Sequence, residues 1–229
     1  MVRAQERRGM ASTSAMLNRP LRARVAPILR EAGFEQVDAR NAWSWRGDAI
    51  WVFNVRAVGN SFSGVTGWPP GSVGVWLGVF FTFAPRPSRL TIDDQGRPRP
   101  AEYLCHMRTH LAIDVDQSRR TAHLRNPAER KRTDIWWVQP DGANADEVAS
   151  DIAESLRHHG LPWYASASNV ERALEVGEAQ HDCFTKFSKA AFLARRLGDE
   201  ERFLKYDALA EAEARRIGHS LDRESWLGI

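Results

Sequence analysis

A row of polar residues between Glu102 and Asp114 holds the side chains best suited to chemistry in this chain. If the segment is a β-strand, its side chains alternate between two faces, and His106, Arg108 and His110 share one of them. Such groups, spaced roughly 7 Å apart, could bind an anion, transfer protons or contact a charged partner. The structural alternative is the solvated polar face of a half-buried strand, because alternation alone produces the same pattern.

The opposite face of this strand is predicted to be apolar, with Tyr103, Cys105 and Met107 on it. Burial there raises the pKa of a thiol, so Cys105 is predicted to be unreactive. The histidines and the two cysteines of the chain form neither an HExxH nor a CxxC pattern. We therefore predict no metal site and no cofactor.

A basic segment, Gln117 to Arg132, could neutralise several phosphates, and its candidate anion-binding residues are Arg130, Lys131 and Arg132. The tryptophans that follow it could stack on bases, or they could belong to the core. The segment carries a net charge of +5 and the first sixteen residues carry +2. Since the whole chain is only +3, the remainder is −4, which disfavours a nucleic-acid partner.

A glycine-rich linker, Gly59 to Ser72, matches neither the dinucleotide-binding nor the P-loop spacing. We predict a flexible loop rather than a phosphate cradle. Trp68 within it is a candidate aromatic anchor for a partner.

The elements that position these residues begin with an apolar helix that contains Pro27 and ends at Gly33. Strands follow, the first two joined at Gly47-Asp48, and those that are apolar on both faces belong at the sheet centre. The predicted strands are Gln36 to Arg46, Ala49 to Ala57, Val73 to Phe83, Tyr103 to Val115 and Asp134 to Val138.

The pattern turns helical after Pro140. Asn144 and Glu147 resemble a capping box, and the helix that they start is predicted to end at Gly160. Three more helices are predicted from Asn169 to Gly218, and their last pair resembles one tetratricopeptide helix pair. On the last helix, the predicted apolar stripe is Phe203, Leu204, Ala208 and Ala212.

We therefore predict an α+β protein with a mostly antiparallel sheet of about five strands, flanked by helices and followed by a C-terminal helical hairpin. Residues 1–16 are expected to be a disordered tail, 17–164 the α+β domain and 165–229 a helical extension packed on it. No apolar run approaches the roughly 20 residues that span a bilayer, and the N-terminus lacks the apolar stretch of a signal peptide. Two unpaired cysteines favour a cytoplasmic protein.

Several short motifs follow one another along residues 17–164: Leu21 to Phe34, Trp43 with Trp45, Val75 to Val79, Cys105 to Arg108, Trp136 to Val138 and Leu161 to Trp163. In their order they resemble the DUF4304 family. The resemblance implies a bacterial soluble α+β domain, and because the family has no assigned function it implies no catalytic residues.

The leading functional prediction is a non-enzymatic protein-interaction module of accessory or immunity type, because the sequence lacks a nucleophile–base set and a cofactor loop. His106, Arg108 and Trp68 would then contact the partner. The alternative is an enzyme acting on an anionic small molecule, with His106 or His110 as acid–base group and Arg108 holding the anion. The third candidate is a nucleic-acid binder that uses the basic segment.

Overall fold

The structure is a computed structural model, which describes residues 16–57, 72–85, 89–111, 135–139, 141–179 and 183–218. An antiparallel sheet carries helices on one face, so the predicted α+β class is confirmed. The strands of this sheet are β1 (Gln36–Val37), β2 (Asn41–Arg46), β3 (Ala49–Ala57), β4 (Ser72–Phe81), β7 (Met107–Leu111) and β8 (Ile135–Trp137), while β5 (Thr91–Ile92) and β6 (Pro98–Arg99) form a separate ribbon.

The hairpin of β2 and β3 turns where the sequence predicts it. Arg46 pairs with Ala49, and Gly47 takes a positive φ of 57°, which suits a tight two-residue turn. The single strand predicted over Gln36 to Arg46 is wrong, because the chain reverses between β1 and β2. The Asp38 N–H donates to the Asn41 carbonyl at 2.8 Å across this reversal, and β1 pairs back on β2.

The strand order is β1-β2-β3-β4-β7, and β8 also pairs with β4. Residues 72–74 of β4 pair with β8, whereas Val75–Val79 pair with β7. The two short strands therefore share one edge of β4, end to end. This places the polar row of β7 at the border of the sheet, next to the C-terminal helices.

The first helix is divided in two, α1 (Asn18–Arg24) and α2 (Ala26–Glu31), as Pro27 predicts. Gly33 ends it with a φ of +82°, and the Phe34 N–H donates back to the Leu29 carbonyl. The Asn18 side chain makes no capping bond, because its carboxamide oxygen accepts from Arg40 Nε at 2.7 Å instead.

The helix that begins at Ala145 does not end at Gly160. It runs from α3 (Ala145–Ser155) through a π-helical turn (Leu156–Gly160) into α4 (Leu161–Ala167). Gly160 is buried, and a Cβ there would lie 3.2 Å from the Leu77 side chain. This glycine therefore provides close packing of the helix on the sheet. The capping box is also wrong, since the Asn144 side chain bonds the Gln139 N–H and the Trp137 carbonyl.

The C-terminal helices are α5 (Val170–Glu178), α6 (Phe184–Leu197) and α7 (Glu200–Arg216), and the last two form the predicted hairpin. Gly198 ends α6 with a φ of +73°, and the Asp199 carboxylate caps α7. The predicted stripe of α7 is wrong, because Leu204 is 58% exposed while Tyr206, Ala210 and Ala214 are buried.

The second face of the sheet is covered by the chain around β5 and β6. The indole N–H groups of Trp43 and Trp45 donate to the carbonyls of Pro100 and Pro98 at 2.9 and 2.8 Å. Arg99 lies over the Trp43 ring at 4.0 Å from its centroid, a favourable cation–π geometry. Cys105 is buried on this face with Trp43, Ile50, Val52 and Phe80.

Candidate functional site

The alternation predicted for Tyr103 to Val115 fails at its beginning. Glu102–Leu104 forms a 3₁₀ turn, and β7 starts only at Met107. Because a 3₁₀ turn places successive side chains about a third of a turn apart, the two faces are no longer continuous. Glu102 is therefore 3% exposed and Tyr103 58% exposed, the reverse of the prediction. Cys105 also lies on the opposite side of the sheet from Met107.

The three candidate residues His106, Arg108 and His110 do not form a single row. His110 is exposed, lies opposite Trp76 on β4 and contacts the edge of that ring, with 5.0 Å between centroids. His106 precedes the strand and lies among Phe80, Phe81 and Phe192. His106 and Arg108 line one cavity together, and His110 is not among its lining residues.

This cavity has a volume of about 910 Å³ and lies between β7, the 3₁₀ turn and helices α4 to α6. We call it the β7–α6 cavity. The wall from α6 comes from Thr185, Ser188, Lys189 and Phe192, whose spacing places them on one side of that helix. The volume falls in the upper part of the roughly 300–1,000 Å³ range of small-molecule sites.

His106 is held as a neutral imidazole. Its Nδ1 accepts the Phe81 N–H at 2.9 Å. Burial, reinforced by the positive charge of Lys189, lowers the pKa of His106 from 6.5 to about 4. Since Nδ1 accepts a hydrogen bond, the proton of the neutral ring resides on Nε2, which can donate but not act as a base.

Arg108 is anchored from behind by a buried carboxylate. Its Nε donates to Glu102 Oε1 at 2.7 Å, and the Glu102 side chain is 1% exposed. The other oxygen, Oε2, lies 3.7 Å from Arg56 Nη2. Arg56 lines a different cavity, of about 320 Å³, on the second face of the sheet. The Glu102 bond uses Nε alone, so the terminal nitrogens of Arg108 are available for another acceptor.

Lys189 supplies the second cation of the β7–α6 cavity. Burial lowers the pKa of its ammonium, and Arg108 lowers it further by like-charge repulsion, while Cys183 acts in the opposite direction. Among the described residues, no carboxylate lies within ion-pair distance of Lys189, and none lines this cavity. Within the described residues, Lys189 thus lies at the cavity without a carboxylate partner, and the partner of Arg108, Glu102, is not among the lining residues.

Two candidate nucleophiles of the cavity, Cys105 and Ser188, are inert or engaged. Burial raises the pKa of the Cys105 thiol well above its ordinary value, as the sequence predicts. The Ser188 hydroxyl donates to the Phe184 carbonyl at 2.5 Å within its own helix. In the described part of the chain, no group of three histidine, cysteine, aspartate or glutamate side chains is arranged to hold a metal ion.

The other candidate residues cannot be placed in the same way. Trp68 and the basic residues Arg130, Lys131 and Arg132 lie outside the described residues, as do residues 1–15 of the predicted tail. Trp136 is fully buried and its indole N–H donates to Asp151 at 2.7 Å, so it is a core residue and offers no surface for base stacking. The helices that the structure describes include none long and apolar enough to cross a membrane.

Comparison with protein-family models, with curated proteins and with solved structures finds no match to this chain. The resemblance to DUF4304 therefore stays a prediction, and the site is interpreted from its own geometry.

Sequence reasoning identified His106 and Arg108, placed Glu102 on the same polar face without predicting its burial, and missed Lys189 and Phe192. A pattern was present, because Phe184, Ser188, Lys189 and Phe192 lie off the buried side of α6. Two phenylalanines and a lysine outside the buried stripe of α6 indicate that this helix packs against, or lines, a second surface. The burial of Glu102 could not be predicted, since it depends on the 3₁₀ turn.

Proposed function

We propose that this chain is a non-catalytic binding protein for an organic anion that carries an apolar body, and that the β7–α6 cavity is its binding site. The observation that supports the proposal is the pair of cations, Arg108 and Lys189, in a cavity whose other walls are largely aromatic and aliphatic and whose described lining lacks a carboxylate. Such a combination of a few polar groups and apolar walls is typical of ligand sites.

Three polar groups of the cavity are suited to binding an anion. The terminal nitrogens of Arg108 and the ammonium of Lys189 form charge-assisted hydrogen bonds, which are stronger than neutral ones. Neutral His106 adds an N–H donor without adding charge.

The same groups argue against the enzymatic alternative. A general base near neutral pH needs an accessible lone pair, but Nδ1 of His106 is occupied by the Phe81 N–H. His110, the other proposed acid–base group, lies away from the cavity at Trp76. The protein-interaction function stays a separate prediction, because its aromatic anchor Trp68 is outside the described residues.

Replacing Lys189 by Met tests the proposal. We expect Lys189→Met to weaken binding of decanoate, measured by isothermal titration calorimetry, by about tenfold or more, since a charged hydrogen bond contributes about 1.5–3 kcal/mol. Thermal stability should be kept or raised, because the change removes a partly desolvated cation close to Arg108.

The matched control is Lys205→Met, which replaces an exposed lysine on α7. It should bind decanoate as the unchanged protein does. Equal affinity of the Lys189→Met variant and the unchanged protein would contradict the proposed site.

A further inference from the structure

We propose that the β7–α6 cavity selects a ligand with a single negative charge, a carboxylate on an acyl or aromatic body, and that Glu102 sets this selection from behind Arg108. This inference rests on the proposed anion-binding function and names its ligand class. It assigns Glu102 as a specificity-determining residue that lies behind the cavity wall.

The described lining of the cavity presents two positive charges, one of which is compensated within the protein. Arg108 and Lys189 are the two cations of its described lining, but the Arg108 guanidinium is bonded to Glu102 at 2.7 Å. Because the Glu102 side chain is 1% exposed, water screens its charge little. One of the two positive charges is therefore compensated within the protein, and Lys189 provides the charge that remains for a ligand.

Arg56, the other cation near Glu102, does not replace the positive charge of Arg108 that Glu102 compensates. It lies 3.7 Å from Glu102 Oε2 without a hydrogen bond, and its side chain is 46% exposed. It also lines the smaller cavity on the second face of the sheet. It is not among the lining residues of the β7–α6 cavity, whereas Arg108 is, so Arg56 does not face a ligand beside Lys189.

A second negative charge on the ligand would make its binding free energy less favourable. A dianion held by Arg108 would bring that charge close to the Glu102 carboxylate, and the two like charges repel because the Glu102 side chain is only 1% exposed, although that of Arg108 is 45% exposed. A binding site can discriminate against a competing ligand by placing a like charge near it, and Glu102 would discriminate in this way against a dianion. A carboxylate ligand would pair its single negative charge with Lys189 and would accept hydrogen bonds from the terminal nitrogens of Arg108.

The rest of the ligand is defined by the walls. The cavity that Arg108 and Lys189 line also has apolar walls, among them Leu104, Trp163, Phe184 and Phe192. Burying an apolar chain there contributes about 25 cal/mol for each Å² removed from water. A volume of about 910 Å³ accommodates a ligand of drug-like size.

The test compares decanoate, decyl phosphate and decan-1-ol by isothermal titration calorimetry at pH 8, where an alkyl phosphate with a second pKa of about 6 is dianionic. We expect the unchanged protein to bind decanoate about tenfold tighter than either of the other two. In Glu102→Gln, which keeps an oxygen for Arg108 Nε and removes the charge, the ratio of decanoate to decyl phosphate affinity should fall about tenfold or more. Glu35→Gln, a carboxylate paired with Arg97, is the matched control and should keep the ratio.

The outcomes separate the two proposals. Equal affinity of the unchanged protein for decanoate and decyl phosphate, both above decanol, would overturn the charge selection and leave the anion site standing. The selection is also overturned if Glu102→Gln, shown to be folded by circular dichroism, keeps the original ratio. Binding of decanol as tight as that of both anions would overturn the anion site itself, and the selection with it. If Glu102→Gln does not fold, the ratio of decanoate to decyl phosphate affinity in the unchanged protein still tests the charge selection.

Discussion

The neutral state of His106 makes the stability of this protein depend on pH in a way that one substitution should remove. The pKa of this histidine is lowered from 6.5 to about 4 in the folded protein, chiefly by burial. Between these values the unfolded chain binds more protons than the folded one, so acidification favours unfolding. Above about pH 6.5 the histidine is neutral in both states and has no such effect.

The size of the effect follows from the two pKa values. At about 1.36 kcal/mol per unit of pKa, the difference between 6.5 and about 4 destabilises the folded state by about 3 kcal/mol once the pH is below 4. Most of this, about 2.5 kcal/mol, should be lost by pH 4.5. A loss of this size is a large fraction of the stability of a whole domain, which is typically about 5–15 kcal/mol.

His106→Asn should abolish this contribution, because asparagine does not titrate yet can place an oxygen where Nδ1 accepts the Phe81 N–H. Urea unfolding of both proteins at pH 7.5 and pH 4.5 gives the free energies. The stability of the unchanged protein relative to the variant should fall by about 2.5 kcal/mol between these pH values. His110→Asn, a change at an exposed position of β7, is the matched control. Parallel losses in the unchanged protein and His106→Asn would refute the reasoning.

Two further substitutions test the packing of the helices on the sheet. Gly160→Ala should lower the free energy of unfolding by about 1–3 kcal/mol, because its Cβ would lie 2.8 Å from Leu156 Cδ1 and 3.2 Å from Leu77 Cδ1. Gly177→Ala in α5 is its control and should stabilise by about 0.5–1 kcal/mol, since a Cβ there meets no atom within 4 Å. Equal effects of the two in urea unfolding would contradict the tight fit at Gly160. Tyr164→Phe should cost about 1 kcal/mol, because the buried Tyr164 hydroxyl donates to the Val52 carbonyl at 2.6 Å, and an unchanged unfolding midpoint would show that this bond contributes nothing.

The parts of the fold that the sequence predicts well are those decided by local chemistry. Gly33, Gly47 and Gly198 end elements because each takes a positive φ. Pro27 divides the first helix because it has no N–H to donate. The effect of each of these residues arises from its own backbone preference. The local sequence is therefore enough to predict where the helix or strand ends.

The errors occur where a tertiary contact decides. Gly160 suggests a helix end by its residue type, yet it remains helical because the sheet approaches too closely for a side chain. Leu204 belongs to the predicted stripe of α7 but is exposed, since the helix presents Tyr206 and Ala210 to its neighbours instead. Glu102 is assigned to a polar face, and the 3₁₀ turn buries it. The contacts that determine the environment of Gly160, Leu204 and Glu102 are made with other elements, so the residue spacing within one helix or strand does not predict them.

For the candidate site, the sequence predicts two of the groups and not their arrangement. His106 and Arg108 are found because they are polar residues of one predicted strand, whereas Lys189 is about eighty positions away in the sequence. The cavity exists only because α6 packs beside β7, through contacts such as Phe192 on His106. A site formed between distant segments cannot be derived from the spacing within either of them.

The shared edge of β4 has a consequence for the behaviour of the protein at high concentration. β3 and β4, of nine and ten residues, are apolar on both faces, which is the composition of segments that form amyloid-like assemblies. In the part of the chain that the structure describes, both are enclosed, and the borders of the sheet are the two-residue β1 and the short β7 and β8. Short borders offer few free N–H and C=O groups to another copy, so this arrangement opposes strand addition and self-association into fibrils.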